Sequence, residues 1–334
     1  MRLTNLRSSS LFIWTLLLLL GTAVLPALKA DLVWDAEQGW RIEGGILDSG
    51  DPETQRPQTA LELMNQAREF QEDGKDRAAL RRYRRVTRRY DQSIYAPEAR
   101  FQRGLIFKER QQWRRAMTEF NTIAQEHPEF DKFDELIETQ FAIAEKLQEG
   151  ARTRLVSRVP GFRSKSAAIE YFEDVIRNGP FTEKAPLALM NIAEIELSRN
   201  NPEEAIDAFD RLINDYPRSA LAPESYLGLA EAFSQMVSGP EYDQGSTRQA
   251  IAFYEDFLIL FPDHENVERA ETGLREMREV LAQSRLVIAE FYHFRRSNYT
   301  AARILYNDTI TASPDSEAAQ TARQRLDELP EDPS

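Results

Sequence analysis

The chain has 334 residues, 42% hydrophobic and 29% charged, with 42 Lys and Arg against 55 Asp and Glu and no cysteine. That length and apolar content suffice for one large or two ordinary packed domains and exclude collagen-like, mucin-like and wholly disordered chains. Without cysteine there is no disulfide framework, thiolate metal site, cysteine nucleophile or thioether-linked lipid, and three scattered histidines, His127, His264 and His293, argue against a histidine-based zinc or catalytic site.

Arg2 and Arg7 precede an uncharged apolar run, Leu11 to Leu25, followed by Pro26, Ala27, Leu28, Lys29, Ala30 and Asp31. This is the layout of an export signal over residues 1–30. The run is shorter than the roughly 20 residues that cross a bilayer as a helix, so cleavage after Ala30 is expected ahead of retention as an anchor. The protein would then work outside the cytoplasm, in a bacterial periplasm. Residues 31–58 read as a non-helical strap and linker: Asp31 to Ile46 carries Trp34 and Trp40 without a helical period, and Leu47 to Pro57 is polar. The two tryptophans either pack on the following structure or dock a partner, and the letters leave both open.

From residue 59 to 329 a single block recurs: a small residue, an aromatic four later, aliphatics seven or eight later and usually a proline twelve later. The small residue is Ala79, Ala116, Ala168, Ala205, Ala250 and Ala302, and the aromatic is Tyr83, Phe120, Phe172, Phe209, Tyr254 and Tyr306. The proline column holds Pro128, Pro180, Pro217, Pro262 and Pro314, with Asp91 in the first copy. A second small residue precedes each block: Ala67, Gly104, Ala144, Ala193, Ala230 and Ala289. Small residues at a crossing let two helices approach, an aromatic fills the gap above them, and proline ends the second helix. The reading is all-α: a tetratricopeptide-like, right-handed α-solenoid of about six helix pairs, with a C-terminal capping helix after Ser316 and a frayed tail over 330–334. Glu149 to Lys165 and Val237 to Ser246 read as inserted loops by their glycine and proline, and Asn266 to Phe294 reads as one long helix.

No phosphate loop, nucleophile elbow, HExxH helix, EF-hand loop or dinucleotide fingerprint is present, and acidic pairs such as Glu203 and Glu204 stand at helix starts, where carboxylates suit the macrodipole. No enzyme activity, metal or cofactor is expected. Charge is more informative. Between Arg68 and Arg115 stand fifteen basic residues and seven acidic ones. On the second helix of the first pair, Leu80, Tyr83, Val86, Thr87 and Tyr90 form a buried stripe and leave Arg81, Arg82, Arg84, Arg85, Arg88 and Arg89 outside. A further cluster comprises Arg152, Arg154, Arg158, Arg163 and Lys165. Such a face is either merely solvated or a steering patch for an acidic partner, a peptide carboxylate or anionic lipid. Export and the acidic balance disfavour nucleic acid. A solenoid groove lined by Arg100, Phe101, Leu105 and Lys108 would suit an extended peptide with an aromatic, carboxylate-terminated end, although the same residues equally fit support of the neighbouring repeat.

Two stretches, AIAFYEDFLILFPDH (Ala250 to His264) and AEFYHFRRSNYTAAR (Ala289 to Arg303), separated by the long helix, carry a family resemblance. With Ala289, Glu290, Phe291, Tyr292, Arg295, Tyr299, Ala301 and Ala302 in the corresponding places, the chain from about Leu61 to Leu329 resembles the BamD (YfiO) family, tetratricopeptide components of the outer-membrane barrel assembly machinery. The resemblance implies a scaffold that holds a BamA-like barrel-assembly protein through its C-terminal repeats, with Arg295 at that contact. It also implies that unfolded outer-membrane protein peptides meet the basic first repeats, Arg81, Arg85 and Arg88 included. Family members usually carry a lipid-modified cysteine after the signal, whereas Asp31 stands here, so membrane association is expected through partners and not through a lipid anchor. The rival readings are a soluble periplasmic coordinator of envelope or peptidoglycan enzymes, similar to the CpoB (YbgF) family, and a helical-repeat envelope hydrolase, which would need a catalytic cluster the sequence does not display.

Overall fold

The computed structural model describes residues 31–35, 39–43, 55–151, 154–156, 159–160, 165–242 and 244–330. The expected export signal, residues 44–54 of the linker, Arg152, Arg158 and Arg163 of the second basic cluster, and residues 331–334 lie outside the described residues. Two compact units, residues 1–103 and 104–334, are present.

Thirteen α-helices occur among the described residues: α1 (Gln55–Glu72), α2 (Asp76–Arg89), α3 (Tyr95–Glu109), α4 (Trp113–Glu126), α5 (Phe133–Gln148), α6 (Lys165–Asn178), α7 (Lys184–Ser198), α8 (Pro202–Asp215), α9 (Ala222–Gln235), α10 (Gly245–Leu260), α11 (Val267–Glu290), α12 (Tyr299–Ala312) and α13 (Glu317–Glu328). Five helix pairs pack directly, α1/α2, α5/α6, α7/α8, α9/α10 and α11/α12, α3 meets α4 where Gly104 faces the Phe120 ring, and α13 caps the last pair by packing on both α12 and α11.

The small-residue columns explain the pairing. All six block alanines and all six aromatics are buried, and so are Ala67, Gly104, Ala144, Ala193, Ala230 and Ala289. The contact is one of shape. A Cβ added at Gly104 would overlap the Phe120 ring, one at Gly228 the Phe209 ring, and one at Gly273 the Tyr254 ring. From α9 to α11 the core runs on from one pair into the next: Leu227 and Ala230 on α9, Ala250, Tyr254 and Phe257 on α10, and Ala270, Leu274 and Met277 on α11 form one apolar cluster. Burial of this kind contributes about 25 cal/mol per Å² of apolar surface, and it supplies what short helices lack in isolation.

Each second helix stops two residues before the proline column: α4 at Glu126, α6 at Asn178, α8 at Asp215, α10 at Leu260 and α12 at Ala312. Proline disfavours the helical conformation in the residue ahead of it. Yet α2 ends at Arg89, two residues before Asp91, so the repeat geometry sets the stop as much as the ring does. Four of the tight turns inside the pairs pass through a left-handed residue: Gly74 (φ 69°), Gln111 (φ 56°), Asn200 (φ 61°) and Ser297 (φ 51°). Only Gly74 escapes the steric cost of about 1–2 kcal/mol that a Cβ brings to that conformation.

The structure gives the non-helical strap a definite form and departs from the sequence expectations in two places. The strap is an antiparallel hairpin, β1 (Asp31–Asp35) with β2 (Gly39–Glu43), in which Trp34 stands opposite Trp40. Trp40 is buried and its backbone N–H donates to Asn65 Oδ1 of α1 at 2.7 Å, so this tryptophan packs on the first helix; the Trp34 side chain lies outside the described residues. The first insertion holds a two-stranded ribbon, β3 (Arg154–Val156) with β4 (Val159–Pro160), where a loop was expected. The long helix is α-helical only to Glu290 and continues as a π-helical turn over Phe291–Arg295, with the Arg296 N–H bonded to the Phe291 carbonyl at 3.2 Å.

Candidate functional site

Two surfaces combine exposed side chains with unusual chemistry. The first is the outer face of α2. Ala79, Tyr83, Val86 and Thr87 are buried, Leu80 and Tyr90 are half-buried, and Arg81, Arg84, Arg85, Arg88 and Arg89 are exposed around a hollow of about 280 Å³. Arg82 lies at the flank with its guanidinium 5.9 Å from the centre of the Phe70 ring. Arg88 and Arg89, in the last turn, complement the helix dipole, as Asp76 does in the first. The remaining electrostatics are unfavourable. Among these five exposed arginines, five like-charged pairs stand three or four residues apart, 81/84, 81/85, 84/88, 85/88 and 85/89, and together they cost on the order of 1–2 kcal/mol at low salt.

The neighbouring residues read as groove lining are placed differently. Phe101 is 1% exposed, a core side chain of α3, and cannot touch a peptide. This corrects the expectation of an alternating apolar and cationic lining: the position beside Arg100 faces inward because α3 turns that side to the core. Arg100 and Lys108 are half-buried on α3, a different helix from the one that carries the exposed arginines.

The second surface is at the C-terminal end. Val287, Ile288, Phe291 and Phe294 recur at helical spacing and are all exposed, Phe291 at 44% and Phe294 at 55%, with Tyr299 and Ile304 of α12 also exposed. The π turn produces this arrangement. An extra residue in the helical ladder rotates the positions after it, so that Phe294 and Arg295 face outward while Tyr292 and His293 remain half-buried. The His293 and Phe294 rings stack at 4.1 Å, and the Arg325 guanidinium stands 5.2 Å from the Phe294 ring centre while pairing with Glu328 at 2.9 Å. Arg296 stands 5.4 Å from the Phe291 ring centre. Beneath, His293 Nδ1 and Tyr306 Oη are 3.0 Å apart; burial pushes the Tyr306 phenol up to about 12, so it keeps its proton at neutral pH. Arg295 itself is exposed and makes no ion pair with another described residue. The result is a platform of exposed aromatic rings rimmed by guanidinium groups, a composition enriched at protein-binding surfaces.

Sequence reasoning missed a third feature. Phe181, directly after Pro180, is fully exposed at the α6–α7 turn beside a hollow of about 510 Å³, and a mostly apolar hollow of about 710 Å³ is lined by Pro186, Leu187, Tyr216, Pro217 and Leu221. An aromatic residue in a polar turn was the available signal. Among the described residues no group of three or more His, Asp or Glu side chains is placed to hold a metal ion, and no helix is long and apolar enough to cross a membrane.

Paired helices with buried small residues at their crossings and a proline-terminated second helix define a tetratricopeptide-type repeat protein, and residues 98–129 match the tetratricopeptide repeat model. The chain belongs to the YfiO family, described as outer membrane lipoprotein, whose model matches residues 162–330. A curated relative, the outer membrane protein assembly factor BamD of Caulobacter vibrioides, is 26% identical over 125 residues, which is 37% of this chain and 41% of the relative, so the match spans under half of that protein. Among solved structures, a tetratricopeptide repeat protein of Parabacteroides merdae is 11% identical with TM-score 0.31, covering 81% of this chain and 98% of its own. The C-terminal part of a repeat protein from Cytophaga hutchinsonii is 16% identical with TM-score 0.29, covering 81% of this chain and 90% of its own. At scores of this size the helix pairing itself, and not these likenesses, defines the fold.

Proposed function

We propose that the chain is a non-catalytic scaffold in the assembly of outer-membrane β-barrel proteins, working in the periplasm at the outer membrane. Its aromatic platform around Phe291, Phe294 and Arg295 holds the barrel-forming, BamA-like assembly protein, and unfolded substrate segments are received elsewhere along the helix pairs. The observation that carries this reading is that the family match over residues 162–330 contains the whole platform, which is also the largest run of exposed aromatic and aliphatic side chains on α11 and the turn after it. The relative named as an assembly factor supports the same process. None of the 334 residues is cysteine, so a thioether-linked lipid has no attachment point within them.

The test is affinity purification of the tagged chain from detergent-solubilised envelope, with mass-spectrometric identification of the proteins recovered with it. The barrel-assembly protein is expected among them, and Phe291→Ala with Phe294→Ala is expected to reduce its recovery about thirty-fold or more, the size of one lost hot spot. Recovery of soluble or wall-associated proteins alone would favour the coordinator reading and contradict this one.

A further inference from the structure

The arginine face of α2 has no role in the C-terminal platform, and its composition points to a different ligand. Arg81, Arg84, Arg85, Arg88 and Arg89 fall within an arc of about 140° at 100° per residue and extend about 12 Å along the axis. None of these five side chains has a hydrogen-bond or ion-pair partner among the described residues, and the hollow between them is lined by these five side chains alone. We infer that this face docks directly on a membrane surface bearing phosphate headgroups.

Three observations choose that occupant over a peptide. A peptide terminus supplies one carboxylate, whereas five unpartnered cations along two turns call for several anions presented together. A bound peptide also needs pockets for its side chains, and among the described residues this hollow is lined by arginines, with no aliphatic or aromatic residue to form one. Finally, the arginines project from the outer side of the helix, opposite its buried stripe of Tyr83, Val86 and Thr87, which suits a broad surface approached from one side. The guanidinium fork matches phosphate oxygens in pairs, so each arginine can bridge a headgroup. The formal net charge of −13 over the chain disfavours wrapping by a free polyanion such as nucleic acid but leaves one-sided contact with a charged surface open. This inference goes beyond the scaffold reading and does not depend on it.

The test is flotation of the purified full chain on vesicles. Pure phosphatidylcholine vesicles give the baseline, which absorbs any contribution of the apolar Leu11 to Leu25 segment, and vesicles containing phosphatidylglycerol are the test surface. Partition is expected to be about a hundred-fold stronger on the anionic vesicles and to lose that preference in Arg81→Gln/Arg85→Gln/Arg88→Gln, as expected for three removed surface cations. Added salt should weaken it, since the contacts are exposed. The triple variant should keep its helical signal and a thermal midpoint equal to or above that of the parent, because like-charge repulsion is relieved. Should that variant fail to fold, the parent chain's preference for anionic over neutral vesicles and its salt dependence still decide the matter. Equal partition on both surfaces, an anionic preference that survives the substitutions, or capture of a carboxylate-ended peptide or an oligonucleotide without capture of anionic vesicles would overturn the inference.

Discussion

Asn121→Leu is expected to lower the stability of the second unit by about 3 kcal/mol, because one amide there satisfies three helices. Asn121 on α4 donates through Nδ2 to Asp174 Oδ2 of α6 at 2.8 Å. Its Oδ1 accepts from Gln140 Nε2 of α5 at 2.6 Å and from Asn178 Nδ2 of α6 at 2.8 Å. Asn178 also donates to Gln140 Oε1 at 3.1 Å, which closes the ring of contacts. Gln140 is 0% exposed and Asp174 is buried, so water cannot replace what is lost. Arg177 holds the other Asp174 oxygen at 2.9 Å, so the carboxylate keeps one charged partner and the loss stays short of a fully orphaned buried charge. The control is Thr122→Ala, whose hydroxyl bonds only the Thr118 carbonyl of its own helix at 2.8 Å and whose removal should change stability by no more than about 0.5 kcal/mol. Chemical denaturation gives the magnitude, and hydrogen exchange should place the loss of protection in α4, α5 and α6, since repeat proteins transmit destabilisation mainly to neighbours. Equal stability of Asn121→Leu and Thr122→Ala would contradict the network.

Gly228→Leu is expected to be comparably damaging for the opposite reason, overfilling. In an exposed helix interior, replacing glycine stabilises by up to about 1 kcal/mol. At Gly228 a Cβ would overlap the buried Phe209 ring, and overpacking of this kind costs about 1–3 kcal/mol, so the clash outweighs the helix propensity. Gly228→Ala should therefore also destabilise, by less. Combining it with Phe209→Leu tests the contact: the pair should lose less than the sum of the single changes. A thermal midpoint raised by Gly228→Ala would show that the ring is not seated on that glycine.

These two contacts show which features were legible in the letters. Six alanines, six aromatics and five prolines at fixed offsets announced six helix pairs, and the structure buries every one of those alanines and aromatics. That column survives because it records a constraint felt identically in each repeat: two backbones at close approach with one ring above them. Features that occur once left no such trace. The inward side of α3 at Phe101 depends on which helix packs against it, which no local period encodes. The π turn at Phe291–Arg295 adds one residue to a ladder whose composition still reads as ordinary helix through to Phe294, and nothing in that composition signals the outward rotation of Phe294 and Arg295. The short ribbon β3/β4 is a local pairing within a stretch whose glycine and proline signalled only a break. The arginine face of α2 was fully legible, since a helical wheel separates its stripe from its charges; the letters left open what those charges meet.

The most direct test of the scaffold account places a photoreactive aromatic residue at position 294, on the platform, and in a second protein at the exposed Thr118, well away from it in the chain. Irradiation of living envelope and mass spectrometry then identify what each position touches. The account predicts a specific adduct between position 294 and the barrel-forming assembly protein, absent at position 118. An empty position 294, or the same adduct from both sites, would contradict it.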